Sequence, residues 1–156
     1  MYDLTRLNVV HDSPWDAPIV LSNEHTRIHY WRTAGAMDHL VRSADGDELL
    51  FVHAGLGELF CDYGRLRFRD GDYIVLPRGT MWRLACEGDA EFLIIEAVND
   101  AFQLPEKGLV GPHAIFDPAI LRTPTIDEAF LAQQDENEWQ LKIKRLNAVS
   151  IATYPY

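Results

Sequence analysis

The chain has 156 residues, 47% hydrophobic and 24% charged, with 24 acids against 14 bases for a formal net charge of −10. That length suits one domain with its own core, and the composition excludes a disordered chain. With no basic stripe to release counterions, nucleic acid and anionic membrane surfaces are excluded as expected partners.

Cys61 and Cys86 are the two cysteines, 25 residues apart and in no CxxC pair, so they read as reduced thiols of a cytoplasmic protein. The opening Met1-Tyr2-Asp3-Leu4-Thr5 lacks a basic segment followed by an apolar run, so no signal peptide is expected. No apolar stretch approaches the ~18 residues of a spanning helix.

Residues 1–24 are expected to form an irregular arm, because Pro14 and Pro18 break any helix. From Thr26 short strand signals crowd together: 26–31, 37–42, 47–54, 57–63, 65–69, 72–77, 80–86 and 91–98. Each is rich in β-branched, aromatic or leucine residues and bounded by Gly, Asp or Pro. Arg65-Leu66-Arg67-Phe68-Arg69 alternates cleanly, and so does Trp139-Gln140-Leu141-Lys142-Ile143-Lys144. The latter turns near Asn147 and returns through Val149-Ser150-Ile151-Ala152 as a hairpin. Residues 108–118 read as a loop and 133–138 as an acidic connection. Thr125-Ile126-Asp127-Glu128 fits a capping box for one short helix. Evenly spaced short strands with Gly-Asp punctuation predict an all-β sandwich or barrel.

Two spacings sharpen that expectation. Glu48 and Gly55 read E-x6-G, and Gly71, Pro77 and Gly79 read G-x5-P-x-G. They resemble the two motifs of the cupin superfamily, G-x5-H-x-H-x3,4-E-x6-G and G-x5-P-x-G-x2-H-x3-N. The resemblance implies a cupin (double-stranded β-helix or jelly-roll) barrel with a C-terminal β-hairpin and at most one short helix. The implied organisation is an arm over 1–24, a degenerate barrel over 25–122, a connection over 123–138, and a hairpin over 139–156 leading toward an absent second cupin.

In a metal-binding cupin, three histidines and the glutamate converge on one cation. Counting to those positions finds Arg42 and Ala44 before Glu48, and Trp82 after Gly79. An arginine, an alanine and an indole beside one carboxylate leave too few ligands for Fe(II), which takes about three protein donors. No catalytic, cofactor-binding or metal residue is therefore expected in this segment. Arg42, Glu48 and Trp82 are expected instead to fill the barrel as an ion pair and an aromatic plug.

The spacing of the other histidines argues against a metal site. His25 and His29 lie four apart on one strand face, about 13 Å by strand rise, too far for one ion. His39 and His53 flank Glu48, but His53 has the wrong parity. Cys61 and Cys86 read as core residues, and Asp62 and Asp70 as turn formers.

A closer resemblance is to the homogentisate 1,2-dioxygenase family. It is carried by SADGDELLFVHAGLGELFCDYGRLRFRDGDYIVLPRGTMWRL (43–84), LPEKGLVGPHAIFDPA (104–119) and EWQLKIKR (138–145). The resemblance places the chain at the N-terminal half of that family, whose iron ligands and substrate-handling residues belong to a second cupin barrel. It implies a structural and oligomerisation role for this segment. The full-length enzyme would be a non-heme Fe(II) dioxygenase of tyrosine and phenylalanine catabolism, converting homogentisate and O2 to maleylacetoacetate. The implied partners are the second barrel of the same enzyme and further copies in a homo-oligomer. The alternative is a stand-alone, metal-free cupin that binds a small molecule.

Overall fold

The computed structural model describes residues 7, 9–104, 117–133, 137–146 and 148–155. The strands among them are β1 (Ile19–Ser22), β2 (Thr26–Ala36), β3 (Leu40–Ser43), β4 (Glu48–Ala54), β5 (Gly57–Cys61), β6 (Gly64–Phe68), β7 (Tyr73–Leu76), β8 (Met81–Ala97), β9 (Glu138–Arg145) and β10 (Ala148–Pro155). One helix, α1 (Glu128–Ala132), and short 3-10 turns at Pro14–Asp16 and Pro118–Ile120 complete the described elements. All ten strands belong to one curled sheet.

The long strand β8 is its spine. Its C-terminal half runs antiparallel between β2 and β4, and its N-terminal half between β5 and β3. Strand β7 extends β4, and β6 extends β5. The sheet therefore curls on itself and buries one face, as a cupin barrel does.

Pleat parity sorts the side chains. Trp31 of β2, Phe92 of β8 and Val52 of β4 share one cross-strand row. Ile94, Leu50 and Ile74 share the next, and all six belong to the main core. Trp31 stacks on Phe92 at 5.2 Å and meets Trp82 edge-on at 6.2 Å. The opposite parity gives an outer row of Tyr30, Leu93, Phe51 and Tyr73, and another of Ile28, Ile95, Leu49 and Val75. The motif glycine Gly55 sits where β4 passes into β5, at φ 106°. A β-carbon there would lie 2.7 Å from that of Ala90, so both backbone angle and contact require glycine.

Several expectations need correction. The arm over 1–24 is not irregular throughout, because β1 pairs with β2 and adds an edge to the sheet. The separate strands over 80–86 and 91–98 are one continuous β8, since the polar Glu87-Gly88-Asp89 stays extended on the surface. The helix cap is Asp127, whose carboxylate accepts from the Phe130 N–H, while Thr125 bridges to Arg65 in β6. The C-terminal hairpin is no bare lead-out: β9 lies parallel to β3, in register from Leu40 with Leu141 to Ser43 with Lys144. Leu141 packs there with Leu40 and Met81, flanked by Trp139 and Ile143. Residues 108–116 of the expected loop, 134–136 of the connection and Asn147 of the turn lie outside the described residues.

Candidate functional site

The next row toward the strand ends carries charge instead of hydrocarbon. Arg27 of β2, Glu96 of β8, Glu48 of β4 and Leu76 of β7 stand side by side on the inward parity of Ile94 and Leu50. Glu96 and Glu48 are only 1% and 2% exposed. Two carboxyl groups so placed need compensation, because a buried unpaired charge is costly.

The compensation comes from β9. The Lys144 ammonium, 6% exposed, donates to Glu96 Oε1 at 2.5 Å and to Asp45 Oδ2 at 3.3 Å. It also lies 5.2 Å from the centre of the Trp15 ring, within cation–π range. Asp45, in the β3–β4 loop, is held in turn by the Leu146 N–H on Oδ1 at 2.8 Å. Arg27 and His29 stand 3.8 Å from Glu96 Oε2, and the His29 ring is anchored at 3.3 Å to the Ala17 carbonyl. The loop itself is pressed tight: a β-carbon on Gly46 would lie 1.7 Å from the Ala97 carbonyl oxygen.

The two glutamates ionise differently. Burial works to raise the pKa of Glu96, but the nearby His29 ring, the hydrogen bond from Lys144 and the Lys144 and Arg27 charges overcome it, down to about 2. Burial pushes Glu48 up to about 8; Lys144 opposes the rise, while Glu96 and Asp45 add to it. Glu48 Oε1 has no hydrogen-bond partner among the described residues. The Trp82 indole is close enough to lower Glu48 slightly but completes no hydrogen bond. At neutral pH Glu48 is thus a neutral acid beside an ionised Glu96.

Of the four degenerate motif positions, the fold brings together Glu48 and Trp82. Arg42 pairs in register with Met81, not with Trp82, so strand parity turns it to the other face. It reaches Asp62 at 3.8 Å, and the ion pair expected with Glu48 is replaced by Lys144 with Glu96. Ala44 is exposed in the loop. His53 is exposed beside Phe51, and His39 gives its Nδ1 to Asp38 at 2.8 Å. His25 is exposed against Glu24, whereas His29 is buried in the acid cluster. Cys61 and Cys86 are buried free thiols, and burial pushes Cys86 up to about 11. Sequence reasoning missed Lys144, Glu96 and Asp45. The signal for Glu96 is a charge at an inward position of the apolar run Phe92-Leu93-Ile94-Ile95.

These residues do not fit iron. Among the described residues no three His, Cys, Asp or Glu side chains converge as a metal site. The Glu48 position faces an indole N–H, which offers no lone pair, and the neighbouring carboxylate is already held by an ammonium.

Comparison with known proteins accords with this geometry. The chain is 28% identical over 106 residues to homogentisate 1,2-dioxygenase of Caenorhabditis elegans, covering 67% of this chain and 24% of that protein. It is 30% identical over 103 residues to homogentisate 1,2-dioxygenase of Emericella nidulans, covering 65% and 22%. The chain thus spans about a quarter of the length of these relatives. A crystal structure of a Neisseria meningitidis protein superposes with a TM-score of 0.51 at 20% identity, over 62% of this chain and 98% of that one. Residues 17–156 match the family described as "Homogentisate 1,2-dioxygenase N-terminal". The chain belongs to that family, and it has the all-β barrel that the cupin resemblance implies.

Proposed function

We propose that this chain is the metal-free N-terminal barrel of a homogentisate 1,2-dioxygenase-like enzyme, with a structural role in packing against the catalytic barrel and in subunit contacts. The observation that carries the reading is a family match over 17–156 joined to a barrel interior filled by its own side chains. In the complete enzyme, Fe(II) held elsewhere would supply the O2 chemistry that opens the ring of homogentisate to give maleylacetoacetate.

Two surfaces support the packing role. The outer rows present Tyr73 and Val75, 67% and 49% exposed, beside the partly covered Phe51 and Leu49. Strand β10 is exposed along its whole length, carries Val149, Ile151 and Tyr154, and among the described residues pairs with β9 alone. Apolar sheet faces and free edges of this kind suit a protein partner. A cytoplasmic location accords with two buried, reduced thiols.

Oxygen uptake tests the reading. The isolated chain with Fe(II) and homogentisate should consume no oxygen, and a polypeptide carrying the remaining barrel of the family should bind it and turn over. Iron-dependent uptake by the isolated chain, abolished by Glu48→Ala, would overturn the assignment.

A further inference from the structure

The acid cluster at the barrel end has a property the structural role does not require. Three inward carboxyl groups, Asp45, Glu48 and Glu96, are gathered at positions nine-tenths or more buried. Lys144 donates to two of them, with Arg27 and His29 3.8 Å from Glu96, and it comes from a strand about fifty residues further along the chain than Glu96. A purely structural core would fill this row with hydrocarbon at less cost. Moreover, among the described residues Glu48 Oε1 and Glu96 Oε2 are buried without a hydrogen-bond partner in one interior row, so the cluster holds more acceptor capacity than Lys144 uses.

We propose that this end of the barrel is a binding site for a primary ammonium group, and that its resident ligand is the Lys144 side chain delivered by β9. The site is built for such a head group. Glu96 and Asp45 accept two of its three N–H donors. Trp15 presents a ring to the same charge, which favours an organic cation carrying a hydrocarbon tail over a small, strongly hydrated metal ion. The cluster also lacks a convergent triad of metal donors among the described residues. This inference concerns the barrel alone and stands apart from the ring-cleaving assignment, since its readout involves no dioxygenase activity.

Chemical rescue tests it. Lys144→Ala leaves a gap the size of the n-propylammonium ion. At pH 7, n-propylammonium chloride should raise the thermal midpoint of the variant saturably, by about 3 °C or more, and leave the wild type unchanged beyond the effect of tetramethylammonium chloride. An equal response to tetramethylammonium, or a larger rise with Mn2+ or Zn2+, would overturn the ammonium assignment. If Lys144→Ala does not fold, the pair Lys144→Met and Glu96→Gln serves instead. The double variant should recover at least half of the midpoint lost by the two single ones combined, and simply additive losses would overturn the proposal.

Discussion

Glu48 and Glu96 stand directly opposite one another on β4 and β8, and Lys144 is bound to Glu96 while Glu48 Oε1 stays without a hydrogen-bond partner among the described residues. Neighbouring carboxyls with unequal access to one cation separate in acidity, so one is held as an anion and the other as an acid.

Glu48 therefore costs stability at high pH. Its folded pKa of about 8 lies above the ordinary 4.5, so the folded chain binds the extra proton between these values. Stability falls as pH rises through that window and levels off above it. Glu48→Gln should flatten the slope and stabilise the chain by about 2–4 kcal/mol at pH 9. Urea titrations from pH 5 to 9 give the answer, and parallel curves for wild type and variant would count against it.

Glu96 works with the opposite sign. Its pKa of about 2 lies below 4.5, so its contribution is complete above 4.5 and is lost as pH falls toward 2. Glu96→Gln should be destabilised at neutral pH and lose less than the wild type on acidification. Circular dichroism melts at pH 7 and pH 3 check this.

Gly46→Ala should destabilise the barrel by about 3 kcal/mol or more. The added methyl would lie 1.7 Å from the Ala97 carbonyl oxygen, a backbone atom that cannot swing aside. Soluble expression with an unchanged melting midpoint would disprove the close approach.

Trp31→Ala should cost about 3–5 kcal/mol, because the ring is fully buried against Phe92 and Trp82 and leaves a cavity. Leu141→Ala should cost about 2–4 kcal/mol and act locally, loosening β9 from Leu40 and Met81. Hydrogen exchange should then accelerate in β9 and β10 before it does in β8.

Strand pattern and turn spacing carried most of the fold. Alternation located β6 and β9, and the two glycine-containing spacings marked the turns flanking β4 and β7. What stayed hidden was non-local. Alternation in Trp139-Gln140-Leu141-Lys142-Ile143-Lys144 distinguishes two faces but not which one meets the barrel. Apolar residues pack on Leu40 and Met81, so the lysine face turns inward and Lys144 is buried. Likewise Arg42 was placed by counting along a motif, whereas its contact depends on the parity of β3 against β8. A charged Glu96 among inward apolar neighbours was legible, but its partner stands 48 residues away.

The parallel pairing of β3 with β9 joins residues about a hundred positions apart, Leu40 with Leu141. During synthesis, β2 to β8 leave the ribosome well before β9, so Glu96 first meets Arg27 and His29 of β2 and lacks the Lys144 ammonium. The β3–β9 seam and the Lys144 ion pairs can form only after the C-terminal hairpin has emerged, so the longest-range contacts of the sheet are also the last available to it.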